Sequence, residues 1–255
     1  MKKIVVILVI FSLILLSCDN FLSKSWGKYR DYDPDNINVT LSNIDDWVRV
    51  SVGNTELSKA LAEAILRKMA SSSSPEEQAE FLNAGIKVSM EASGIGTALL
   101  TKGADLLEDM DNMNDDQMTE LLRKVQADFL ASGGVKVADQ LAKMALLCIQ
   151  KGNPPHFNKA FSRAAQPSTV AEAIMVLSLG IVGEDNVDNW NNLEMLGLKE
   201  NAQGYMETIN PNPDPKVIAL AAYLNLIPDN PSFKDNPLIS AIDEAFFGQS
   251  KGGHK

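Results

Sequence analysis

Residues 54–92 read NTELSKALAEAILRKMASSSSPEEQAEFLNAGIKVSMEA, and this stretch decides the fold class. Leu57, Leu61, Ala64, Ile65, Lys68 and Met69 recur at spacings of three and four, which gathers them on one face of a 3.6-residue helix. Asn54 or Thr55 supplies the cap and Glu56 an acid in the first turn, so a helix is expected to about Ala70. The serine run 71–74 breaks it. Ser74-Pro75-Glu76-Glu77 then opens a second helix: a hydroxyl to accept a first-turn N–H, a proline where no donor is needed, and acids at the positive end of the helix dipole. Phe81, Leu82, Ile86 and Met90 carry that helix to about Ala92.

Downstream the same period continues. Ser93-Gly94-Ile95-Gly96 marks a break or kink, then Ala98, Leu99, Lys102, Leu106 and Leu107 resume helical spacing before a polar loop over 109–116. Met118, Leu121, Leu122, Val125 and Phe129 form a further helix that closes at Ser132-Gly133-Gly134, where glycine can take the left-handed backbone of a C-terminal cap. Val137, Leu141, Met144, Ala145 and Cys148 follow, closing at Gly152-Asn153-Pro154-Pro155. Helices are expected at 157–165, at 168–182, where the run is almost wholly apolar and therefore central, at 216–226 and at 237–247; residues 183–215 are less regular. Alternating strand patterns are essentially absent. The fold class is all-α, either a multi-helix bundle or an irregular array of antiparallel helix pairs.

Composition bounds the function. With 255 residues, 45% hydrophobic and 22% charged, the chain is long enough for a packed core, and wholesale disorder, a collagen-like repeat or a multi-span membrane protein are excluded. Net charge is −10, and no basic run occurs beyond Lys2 and Lys3. Nucleic acid, which needs clustered cations to displace counterions from phosphate, is discarded as a partner. The same sign argues against the folded body gripping anionic lipid headgroups.

The N-terminus gives an address. Lys2-Lys3 precede an apolar run over 4–16 interrupted only by Ser12, too short for a permanent span and shaped like a secretory signal. Leu15-Leu16-Ser17-Cys18 then resembles the lipobox of bacterial lipoproteins. That resemblance covers the leader alone and implies lipidation of the Cys18 sulfur, cleavage after residue 17, and a protein held to a membrane in the bacterial cell envelope, on the periplasmic side or the cell surface. More than one acyl chain gives stable anchoring where a single chain is marginal. The expected organisation is a signal peptide 1–17, a lipidated tether 18–38 that includes Phe21, Trp26, Tyr29 and Tyr32, a helical domain 39–247 and a polar, glycine-rich tail 248–255. Ala84, Gly96 and Gly103 resemble the small-residue spacing of tetratricopeptide helix pairs, but the aromatic positions of that pattern are missing and no second copy follows in register.

Catalytic constellations are sparse. The only histidines are His156, beside two prolines, and His254 in the tail, so neither a zinc site nor a Ser-His-Asp set is expected. Cys148 lies in an apolar run without a nearby cation and reads as a core residue, not a nucleophile; with Cys18 lipidated, no disulfide is expected. Asp31, Asp33 and Asp35 alternate as calcium ligands do, yet Ser42 stands where a bidentate glutamate belongs and Pro34 stiffens the turn. Asp109, Asp111, Asp115 and Glu120 match four positions of an EF-hand loop, but Met113 occupies a ligand position and Asn114 replaces the turn glycine. Both segments, 31–35 and 109–120, read as solvated acidic loops first, with calcium left open. Gly94-Ile95-Gly96-Thr97 lacks the strand and lysine of a phosphate loop and reads as a kink. Trp47 and Trp190 are too few for a sugar platform. No catalytic residue, metal ligand or cofactor is assigned. The expected function is a membrane-anchored, non-enzymatic helical binding or scaffold protein with an envelope protein as partner. The alternative is a small-molecule-binding lipoprotein of an envelope transport system, its ligand held between helices 168–182 and 216–226. A hydrolase working through acids would need a carboxylate pair of raised pKa in a cleft.

Overall fold

A computed structural model describes residues 36–95, 124–150, 155–183, 214–229 and Phe233. Several of its helices begin where a side chain satisfies a first-turn N–H group. After α1 (Ile44–Ser51), the Asn54 side chain accepts from the Leu57 amide at 3.0 Å and starts α2 (Thr55–Ser71). Ser74 Oγ accepts from the Glu77 amide at 3.2 Å and starts α3 (Pro75–Ala92). The corner between them is closed from the far side: Gln78 Nε2 donates to the carbonyl of Met69 at 3.2 Å, which also accepts from the Ser72 amide, and to the carbonyl of Ser72 at 2.9 Å.

Helix α3 ends where Gly94 adopts φ +77°. A Cβ there would lie 2.2 Å from Ser132 Oγ, so this glycine serves both a backbone reversal and a close approach to the end of the helical stretch 124–131. Gly133, at φ +72°, turns the chain from that stretch into α4 (Gly134–Cys148). Beyond α4 the chain forms one antiparallel pair, β1 (Ile149–Gln150) with β2 (His156–Phe157), in the register Ile149 opposite Phe157 and Gln150 opposite His156. Then come α5 (Lys159–Ala164), capped by Asn158, α6 (Pro167–Val182) and α7 (Pro215–Asp229).

Two expectations are corrected. Phe157 belongs to β2, and the helix after it starts only at Lys159. The cause is tertiary: Phe157, Phe161 and Tyr223 stack as an aromatic knot, with ring centroids 4.4 Å apart for Phe157–Phe161 and 4.7 Å for Phe157–Tyr223. The last described helix continues to Asp229, past Pro228; a proline in a final turn removes a single ladder bond, which the helix end tolerates.

Helix α6 organises the interior. Of its 16 residues, 12 are buried, and it packs against α3, α4 and α7. Helix α4 in turn meets α2, α3, α6 and α7, and α3 meets α1, α2, α4, α5 and α6. Elements far apart in sequence thus share one core, the packing of an all-α bundle in place of a stack in which each pair touches only the next. Ile37 and Val39 lie in the same core. No helix among the described residues is long and apolar enough to cross a membrane.

The α4/α6 contact is set by small side chains. A Cβ on Gly180 would stand 2.2 Å from the Ala138 Cβ. Gly180→Ala is therefore expected to lower unfolding free energy in urea by about 1–3 kcal/mol, the cost of overpacking, with Ala138→Gly restoring part of the loss in the double variant. Simple addition of the two single losses would show that the helices do not meet at this point.

Candidate functional site

Asn83, Lys87 and Glu91 follow one another at intervals of four along α3 and so share a face of that helix. Helix α6 packs on α3 and contributes Glu172, the single charged residue in its length. Lys87 and Glu91 bear on the charge of Glu172, and with Asn83 these four side chains make a polar seam along the edge of the α3/α6 contact, Lys87 exposed and the other three half-buried. Asn83 Nδ2 donates to the Ala164 carbonyl at 3.3 Å, while its Oδ1 is sealed from solvent without a partner. Glu172 Oε2 is likewise sealed and unpartnered. Glu91 Oε2 accepts from the Gly53 amide at 3.3 Å, which ties the turn between α1 and α2 to the end of α3.

The electrostatics follow from this placement. Burial pushes the Glu172 carboxyl up to about 7; the Glu91 charge adds to the rise and Lys87 opposes it. Burial also raises Glu91 above the ordinary glutamate value, against the hydrogen bond from Gly53. Near neutrality Glu172 is therefore balanced between a neutral carboxyl, able to donate a hydrogen bond, and a carboxylate. Among the described residues no group of three or more His, Cys, Asp or Glu could hold a metal ion. The chemistry available at the seam is proton binding and hydrogen bonding to a donor.

The residues singled out by sequence are dispersed. Cys18, the acidic loops 31–35 and 109–120, Trp190 and His254 lie outside the described residues. Cys148 is 1% exposed at the end of α4, and burial pushes its thiol up to about 12, which keeps it protonated and unreactive. His156 is exposed on β2. Trp47 packs half-buried against the core. Gly94 is the reversal already described; residues 96–97 lie outside. The helices expected to hold a ligand, α6 and α7, pack directly on each other and enclose Ser178 Oγ and Tyr223 OH, both sealed and unpartnered. At their rim Lys216 Nζ bridges Asp139 at 2.5 Å and Asp214 at 3.1 Å.

The seam was not assigned from sequence because acids are numerous and Glu91 and Glu172 lie far apart along the chain. One sign of it was legible: a lone glutamate inside the apolar run 167–182.

The class defined by this architecture is an all-α arrangement of packed helices. Compared with protein-family models, curated proteins and solved structures, the chain matches none of them.

Two outcomes are expected. A folded-state pKa above the unfolded one means that the native state holds its proton more tightly, so this stabilisation is complete below about pH 4.5 and is lost as pH rises to about 7. The wild-type unfolding free energy, measured relative to Glu172→Gln, should fall by at most about 3 kcal/mol over that window; parallel pH profiles for the two proteins would show that Glu172 is not buried. Cys148→Ser should cost about 1–3 kcal/mol by placing a hydroxyl in an apolar site. An unchanged melting temperature would contradict the burial of Cys148.

Proposed function

We propose that this chain is a bacterial envelope lipoprotein, anchored through lipid on Cys18, whose helical body acts as a non-enzymatic binding or scaffold module for another envelope protein. The observation that carries the reading is the leader: Lys2-Lys3, the apolar run 4–16, and Leu15-Leu16-Ser17-Cys18 in immediate succession. The body is compatible with it. Its one cysteine among the described residues is a core residue, so the chain has no use for Cys18 as that residue's partner.

A second reading, a small-molecule-binding lipoprotein of an envelope transport system, is favoured by one observation. Asn83 Oδ1 and Glu172 Oε2 are buried acceptors without donors, and a ligand rich in N–H or O–H groups would complete them.

Anchoring is tested with radioactive palmitate in a bacterial host: the wild type should be labelled and processed, and Cys18→Ala should be neither. Label persisting on Cys18→Ala overturns the lipobox assignment. Crosslinking on native membranes followed by mass spectrometry then separates the two readings of the body. A protein crosslinked reproducibly to a helix of the body supports the scaffold; a retained small molecule that is lost in Glu172→Gln selects the receptor.

A further inference from the structure

We draw no further inference here: the strongest candidate, the two sealed acceptors Asn83 Oδ1 and Glu172 Oε2 along the edge of the α3/α6 contact, belongs to the seam already described, and no hydrogen bond joins the two.

Discussion

Helix α6 has no polar face, and that constraint shapes the molecule. An amphipathic helix can lie on a core with one side in water; a helix with 12 of 16 residues buried must be enclosed. Enclosure requires neighbours on several sides, and α3, α4 and α7 supply them from positions scattered along the chain. Burial of each large aliphatic side chain contributes roughly 1.5–3 kcal/mol, which makes this helix the main source of cohesion between elements that otherwise form local pairs. Close approach sets its own composition: glycine at 180 against alanine at 138 lets the α4 and α6 backbones come nearer than branched side chains would allow.

The same constraint gives Glu172 its character. A carboxylate buried without a partner is too costly to persist, and the group responds by holding its proton at higher pH. Lys87 does not cancel this cost because it is exposed, and Glu91 adds to it. The seam is thus a place where the local rule of an apolar core is broken, and the energy of the breach is stored in a titration instead of an ion pair. Such departures from an otherwise consistent core mark the positions where a role beyond folding is to be sought.

What was legible in the sequence depended on how local its cause was. Asn54, Ser74 and Pro75 mark helix starts through bonds made within three residues, and the structure places α2 and α3 at the boundaries those residues define. The apolar run of α6 announced burial by composition alone. The β1–β2 pair was not legible, because two-residue strands carry no pattern and are held by Phe157 reaching Phe161 and Tyr223. The choice between bundle and array was equally hidden, since it turns on α4 touching both α2 and α7. Of the seam, the lone glutamate in α6 could be seen, but its approach to Glu91 depends on how two helices pack and on nothing between them in sequence.

Apolar packing between small residues brings helices close but specifies register weakly, since alanine and glycine faces slide past one another at little cost. The polar contacts lie where they remove that freedom, and most converge on α4. Glu63 of α2 is reached by both Lys136 and Gln140 of α4, at 3.2 and 3.1 Å. Asp139 of α4 engages Lys216 at the start of α7, and Lys216 also meets Asp214, so the N-terminus of α7 is fixed beside the Gly180 contact. Gln126, in the helical stretch 124–131, donates to the carbonyl of Gly183 where α6 ends. The exposed Lys136–Glu63 pair is worth little alone, whereas Gln126, Gln140 and Lys216 are buried, where leaving a polar group without its partner is costly. Glu63 and Lys216 thus tie α2 and α7 to α4, and Gln126 ties the end of α6 to the stretch 124–131, so the helix that meets α6 at Gly180 is itself held in place on two sides.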